Sequence, residues 1–126
     1  MRIRINVGGK CTETSALVNS GFEAPEPAVC IPVSLARAVG LWPSQRLVAE
    51  EAMTAGGEVM VHEAPEKGLV QLLANGQVLS EVRCLIIVNP LVDEVLLSDV
   101  AIDELGIVSI SFGRGLWRHK VDTPRP

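Results

Sequence analysis

Residues 29–41 read Val-Cys-Ile-Pro-Val-Ser-Leu-Ala-Arg-Ala-Val-Gly-Leu, and residues 95–107 read Val-Leu-Leu-Ser-Asp-Val-Ala-Ile-Asp-Glu-Leu-Gly-Ile. The two stretches align without a gap, so that Val29 falls on Val95 and Gly40 on Gly106. Each begins with an apolar run typical of a buried strand and continues into a short amphipathic segment that ends at glycine, a common helix stop. We therefore predict a strand and a short helix in each half, with the helices over Val33 to Val39 and Asp99 to Leu105.

Two hairpins precede these stretches at nearly the same spacing. Apolar and polar residues alternate over residues 3–7, and Gly8-Gly9 then supplies a tight turn. Asn75-Gly76 is a favoured pair for a two-residue hairpin turn, because both positions need a positive φ. The interval from Gly9 to Gly76 nearly equals the interval between the two helix-stop glycines, so the hairpins repeat together with the strands and helices. A third hairpin is expected to turn at Gly56-Gly57, in a stretch without a counterpart.

The repeat predicts an all-β fold: a closed β-barrel with internal pseudo-two-fold symmetry and one or two short helices. A single domain is expected over residues 1–112, with the unmatched hairpin inserted at about residues 42–68. Residues 113–126 are expected to form a C-terminal strand and tail. Since the inserted hairpin would project from one face, it is a candidate cover for a ligand.

The composition excludes several classes of function. The chain has 126 residues, of which 48% are hydrophobic and only 3% aromatic, and its formal net charge is −4. Without a basic face or aromatic platforms, we do not expect it to bind nucleic acid. The longest unbroken apolar run, Cys84 to Val88, is far shorter than a membrane span, so we expect no membrane partner either.

Cysteine and histidine usage indicates a reducing compartment. Cys11, Cys30 and Cys84 are odd in number and lie in apolar surroundings, which favours free thiols and a cytoplasmic location. His62 and His119 lie far apart, and no Cys-x-x-Cys pair accompanies them. We therefore expect no metal site and no cofactor.

The stretch that carries chemistry is Ala16-Leu-Val-Asn-Ser-Gly-Phe22, in which an apolar strand runs into Asn19-Ser20-Gly21. The glycine-rich hairpin Met53-Thr-Ala-Gly-Gly-Glu-Val59 and the stretch Val95-Leu-Leu-Ser-Asp-Val-Ala101 follow. In this order the three stretches resemble the retropepsin-like aspartic proteases, over about residues 2–110. They are most similar to a small archaeal-type branch whose motif reads Asp-Thr-Gly-Phe and whose second half reads Leu-Leu-Ser-Asp.

The resemblance implies a homodimer, because one motif per chain forms only half of a catalytic site. Two carboxylates about 3 Å apart share one proton and activate a water that hydrolyses a peptide bond. Ser20 is expected to hydrogen-bond to the opposite loop, and Gly21 to permit the close approach of the two loops. An extended peptide or protein substrate would contact Leu17 and Phe22 in the cleft, and Thr54, Ala55, Gly56 and Gly57 in the hairpin, which corresponds to the family's flap.

Asn19 occupies the position where the family has aspartate. Its amide cannot share a carboxyl proton or act as a general base, so a dimer with Asn19 in both chains should bind peptide and hydrolyse it poorly or not at all. Three explanations are open: a deliberate replacement that inactivates the enzyme, a natural relative without activity, and slow deamidation that regenerates aspartate. The alternative function is a non-catalytic peptide-binding or assembly dimer of the same fold.

Simpler interpretations compete with this one. Asn-Ser-Gly is also a common turn sequence, and the chain could be an unrelated aliphatic β-domain. Ser20 or Ser34 could act with a histidine as a hydrolytic pair, but no Gly-x-Ser-x-Gly sequence is present. The acidic residues between Asp93 and Glu104 favour a solvated surface near a helix start over a cation site.

Overall fold

The computed structural model describes residues 1–17, 22–43, 46–54, 57–111 and 116–119, in which the chain forms ten strands and two helices. The first half contains β1 (Arg2–Val7), β2 (Lys10–Leu17), β3 (Ala28–Ile31) and α1 (Val33–Ala38). The next strands are β4 (Val48–Thr54) and β5 (Gly57–Glu63). The second half contains β6 (Gly68–Ala74), β7 (Gln77–Val88), β8 (Val95–Leu97), α2 (Asp99–Glu104), β9 (Ile107–Ser111) and β10 (Leu116–His119).

Six of these strands close into a β-barrel. Their order is β3-β8-β2-β1-β6-β7, and β7 pairs in turn with β3, which closes the ring. Neighbouring strands are antiparallel except in the β2–β8 and β3–β7 pairs, which are parallel. β8 of the second half therefore lies between β2 and β3 of the first half. The predicted closed all-β barrel is confirmed at this level.

Both hairpins of the predicted repeat are present. The β1–β2 turn has φ angles of +54° at Gly8 and +85° at Gly9, and the β6–β7 turn has +52° at Asn75 and +74° at Gly76. Two consecutive positive φ angles are typical of a type I′ turn, whose twist matches that of the paired strands. The two hairpins therefore form at the turn residues that the sequence analysis identified.

The two short helices begin and end close to their predicted bounds. Gly40 and Gly106 follow them with φ angles of +74° and +75°, in the left-handed region that glycine enters without a Cβ clash. The Ser98 hydroxyl caps α2 by accepting a hydrogen bond from the Ala101 N–H at 3.1 Å. Pro32 holds the equivalent place before α1 and makes no side-chain cap.

Aliphatic side chains fill the core, as the shortage of aromatic residues requires. Ile3 and Ile5 of β1 are fully buried, and so are Val70 and Leu72 of the neighbouring β6. Because these residues alternate along their strands, one face of each strand points into the barrel. The largest fully buried side chains include Ile3, Ile5, Ile31, Leu72, Ile86, Leu97 and Leu105.

β4 and β5 form a long hairpin that extends from the barrel. Their register runs from the Val48–Glu63 pair to the Thr54–Gly57 pair, and the last two residues of β5 pair with the end of β7. Gly57, which was predicted to form the turn with Gly56, belongs to β5 and pairs with Thr54. Residues 55 and 56, which connect the two strands in sequence, lie outside the described residues.

β9 and β10 pair antiparallel in a separate two-stranded sheet. β10 lies within residues 113–126, where a C-terminal strand and tail were predicted, and residues 120–126 lie outside the described part of the chain. Among the described residues, no helix is both long enough and apolar enough to cross a membrane.

Candidate functional site

The predicted catalytic motif, Asn19, Ser20 and Gly21, lies outside the described residues, and so do Ala55 and Gly56 of the hairpin. The chain is described on both sides of each of these segments. The end of β2 and the segment that leads into β3 therefore flank the motif, and Thr54 and Gly57 flank the two hairpin residues.

Both ends of the motif segment, residues 18–21, are attached to the same part of the second half. Leu17, the last residue of β2, pairs with Leu96 of β8. At the other end, the Phe22 carbonyl accepts a hydrogen bond of 2.9 Å from the N–H of Asp99, the first residue of α2. The ends of the motif segment are thus fixed at the junction of β8 and α2.

Ser98 holds this junction together from the inside. Its side chain is fully buried, and its hydroxyl accepts hydrogen bonds from the N–H groups of Ala28 at 2.9 Å and Ala101 at 3.1 Å. Its own N–H donates to the Ala28 carbonyl at 2.9 Å. One serine therefore connects β3, β8 and α2 next to the hydrogen bond that anchors Phe22. From the sequence, Ser98 was predicted only as a helix start, because no local sequence pattern indicates its hydrogen bonds with Ala28.

A cleft of about 310 Å³ lies beside Leu17, whose side chain is 39% exposed. Asp93 and Glu94, which the sequence placed on a solvated surface, belong to its wall. Phe22 is half-buried and lies outside the lining of this cleft. The lining comes from the end of β2, the start of α1 and the approach to β8: Thr14, Ser15, Ala16, Leu17, Pro32, Ser34, Leu35, Asp93, Glu94 and Val95.

Thr54 and Gly57 are the predicted substrate-binding residues of the hairpin that belong to described strands. They pair with each other at the end of the hairpin that is farther from its junction with β7. No described residue of the hairpin lines the cleft at Leu17. The two predicted sets of substrate contacts therefore lie on separate elements, one on the barrel and one on the hairpin.

The parallel ladders identify a counterpart of the motif asparagine in the second half. Leu17 pairs with Leu96, while Cys30, which is the equivalent of Leu96 in the repeat, pairs with Ile87. Leu17 and Ile87 therefore hold equivalent positions in these ladders. Asn19 of the motif lies two residues after Leu17, and Asn89 lies two residues after Ile87.

Asn89 has a structural role at the end of β7. It is buried, and its Oδ1 accepts a hydrogen bond of 2.9 Å from the Leu91 N–H. Its own N–H donates to the Ile31 carbonyl at 3.0 Å. Asn89 was not among the predicted residues, although the dipeptide Val-Asn occurs at the end of both apolar runs, at 18–19 and at 88–89.

The β4–β5 hairpin is strongly acidic. It contains Glu50, Glu51, Glu58 and Glu63 and neither lysine nor arginine. Burial raises the pKa of the Glu63 carboxyl, and the negative charges of Glu50 and Glu26 and a hydrogen bond with Glu50 raise it further. The hairpin therefore presents a negative surface around a glutamate that holds its proton more tightly than an isolated glutamate does.

Among the described residues, no group of three or more His, Cys, Asp and Glu side chains is arranged to hold a metal ion. No family model matches the chain, and no curated protein matches it.

Proposed function

We propose that this chain is a homodimeric retropepsin-like aspartic endopeptidase in which Asn19 stands at the catalytic aspartate position. Each chain would supply one motif, and a pair of carboxylates would activate water for attack on a peptide bond. With Asn19 in both chains that pair is missing. The protein in this form would bind an extended peptide and hydrolyse it poorly or not at all.

The observation that carries the proposal is the frame around residues 18–21. The apolar strand β2 leads into the segment, and the β8–α2 junction fixes both of its ends through Leu96 and Asp99. The surrounding barrel repeats a hairpin, a strand and a helix, and an unrepeated hairpin stands between the two halves in sequence. This arrangement is compatible with the one that the resemblance implies.

The chemistry depends on the functional group that Asn19 lacks. Two carboxylates brought about 3 Å apart cannot both ionise, so the pair retains one proton and can both accept a proton from water and donate one. An amide does neither. The Ser20 hydroxyl would hydrogen-bond to the partner's loop, and Gly21 would leave room for the two loops to approach.

An extended peptide would lie between the cleft and the hairpin. Leu17 would supply an apolar contact at the cleft, with Phe22 on the other side of the motif. The far end of the hairpin, with residues 54–57, would pair with the peptide backbone. In this mode backbone hydrogen bonds provide affinity and alternate side chains provide specificity.

The deciding experiment is Asn19→Asp in the full chain, assayed against a mixed peptide library from about pH 3 to pH 7. A transition-state mimic that carries a hydroxyl serves as the inhibitor. We expect cleavage with a bell-shaped pH profile, suppressed by the mimic, and at least about 100-fold faster than in the Asn19 chain, because a general acid–base group contributes at least that much. Asn89→Asp is the matched control, since it makes the same change at the counterpart position and should leave the chain inactive.

The alternative function is a dimer that binds peptide without cleaving it, and the observation that favours it is Asn19 itself. A folded Asn19→Asp dimer that cuts no peptide, while the unaltered chain binds peptides, would support this alternative over the protease. The second measurement is the oligomeric state of the unaltered chain and of the Asn19→Asp variant, determined by sedimentation. A chain that remains monomeric at every concentration would overturn both functions.

A further inference from the structure

Among the described residues, the outer edge of β4 has no strand paired with it. β4 is the last strand of the eight-stranded sheet, and within the described residues it pairs only with β5. Residues 48–51 are all exposed along it, and Val48 is 54% exposed. Backbone N–H and C=O groups on such an edge are open to pairing with another strand.

Both faces of the hairpin carry negative charge beside this edge. The β4–β5 register places Glu50 and Glu63 on one face, and Glu51 and Glu58 on the other. The basic residue that precedes β4, Arg46, already forms an ion pair of 3.6 Å with a glutamate after β5. The edge is therefore flanked by negative charge whichever face is considered.

These charges decide which kind of strand can pair with the edge. If β4 paired antiparallel with β4 of a second copy, Glu50 and Glu51 of one chain would lie near the same residues of the other. Like charges at neighbouring positions destabilise a sheet, so the glutamates protect the edge against self-association. A strand with basic side chains would meet an opposite charge on either face.

We propose that the outer edge of β4 binds an extended cationic segment of a partner protein, which joins the sheet as an additional strand. Backbone hydrogen bonds would hold the segment, and the four glutamates would select lysine or arginine at alternate positions. The inference goes beyond peptide hydrolysis, because it requires neither the motif at residues 18–21 nor a second copy of the chain.

A labelled peptide of alternating Lys and Thr that matches the seven residues of β4 tests this inference. Its affinity for the unaltered chain is measured by fluorescence anisotropy. We expect binding that weakens several-fold as ionic strength rises, because salt screens charges on an exposed surface. The same peptide with Glu in place of Lys should not bind.

Two controls separate strand pairing from charge attraction. A version of the Lys-Thr peptide that is N-methylated at alternate amides keeps every charge but cannot pair along one edge, so its affinity should fall at least about tenfold. The double variant Glu50→Gln with Glu51→Gln should also weaken binding at least about tenfold. Asp103→Asn with Glu104→Gln removes the same charge from exposed positions of α2 and should leave the affinity unchanged.

Equal affinity for the methylated and unmethylated peptides would overturn strand addition. An equal loss in the hairpin variant and the α2 variant, or no loss in either, would overturn the assignment to β4. Because every measurement uses the chain with Asn19, the result is independent of whether Asn19→Asp cleaves peptides.

Discussion

Cys30 of β3 lies opposite Leu96 of β8 in an antiparallel pair, and the two residues hold the same position in the two halves of the chain. Arg4 of β1 and Gln71 of β6 are also paired, and their separation in sequence equals that of the hairpin glycines Gly9 and Gly76. A residue that faces its own counterpart marks a two-fold axis. The pseudo-two-fold axis therefore runs through the barrel from the Arg4–Gln71 pair to the Cys30–Leu96 pair.

The motif segment begins one strand away from this axis. Leu96 pairs with Cys30 on one side and with Leu17, the last residue before the motif segment, on the other. The repeat therefore positions the candidate site as well as building the barrel, because strands of both halves converge at β8.

The three thiols should differ sharply in reactivity. Burial raises the pKa of the Cys30 thiol to about 11 and, with the charge of Glu104, that of Cys84 to about 12, whereas Cys11 is exposed. Since the thiolate is the reactive form, a disulfide reagent at about pH 8 should titrate one thiol per native chain and three after denaturation. Cys11→Ser should abolish the native reaction. Rapid labelling of a second native thiol would contradict the burial of these side chains.

Ser98→Ala removes only one oxygen atom, but it should destabilise the barrel more than the same change at an exposed serine. It removes a helix cap and leaves the buried N–H groups of Ala28 and Ala101 without their acceptor. We expect a loss of about 2–4 kcal/mol in the free energy of unfolding, measured by urea denaturation. Ser34→Ala, at an exposed position of α1, should cost less than about 0.5 kcal/mol. Equal losses in the two variants would show that the Ser98 hydroxyl does not hold the junction.

The sequence predicted the elements of the fold because their signals are local. The Asn75-Gly76 turn, the helix stops at Gly40 and Gly106, and the alternation in β1 each depend on neighbouring residues. Gly57 was predicted to lie in the third turn but belongs to β5, since a glycine is compatible with either place and strand pairing decides between them. Local patterns could not predict the pairing of β2 with β8, because the two strands lie far apart in sequence.

The candidate site was less predictable, since it depends on contacts between distant parts of the chain. Leu17 was identified from its place before the motif, and it does line a cleft. Asp93 and Glu94, in the wall of that cleft, belong to the second half of the chain. The sequence did not predict the role of Asn89, because the spacing of the hairpins places the counterpart of Asn19 at Ile86. β7 is longer than β2, so the equivalent position lies further along the chain, at Asn89.

Gly68→Ala should be destabilising because β6 passes close to its neighbours. A Cβ at this position would lie 2.7 Å from Ile86 Cδ1, and 3.0 Å from both the Asn6 carbonyl O and Val7 Cγ2. Overpacking of this kind costs about 1–3 kcal/mol, which urea denaturation would measure.

Ile86→Val tests the cause of that loss, since it removes the nearest clashing atom. In the double variant with Gly68→Ala, the total loss should be smaller than the sum of the two single losses by at least about 0.5 kcal/mol. The same cycle with Ile31→Val, at another fully buried isoleucine, should be additive. Additive losses in the Ile86 cycle would locate the strain elsewhere, at the Asn6 carbonyl or the Val7 side chain.

Glu63→Gln should stabilise the protein at neutral pH and leave its stability unchanged in acid. Because the pKa of Glu63 is raised in the folded state, the folded chain binds this proton more tightly than the unfolded chain, and stability falls as the pH rises from the unfolded pKa to the folded one. Glutamine has no charge to be buried or to be repelled by Glu50 and Glu26, so it avoids this loss of stability.

The expected gain is a rise of about 1–2 °C in Tm at pH 7, since charge interactions at partly exposed positions contribute only a few tenths of a kcal/mol. No gain is expected at about pH 3, where the glutamate is protonated in both states. Glu51→Gln, the same change on the opposite face of the hairpin, serves as the control for the general loss of one negative charge. If both variants gained equally at pH 7, the effect would come from net charge and not from the burial of Glu63 and its repulsion by Glu50 and Glu26.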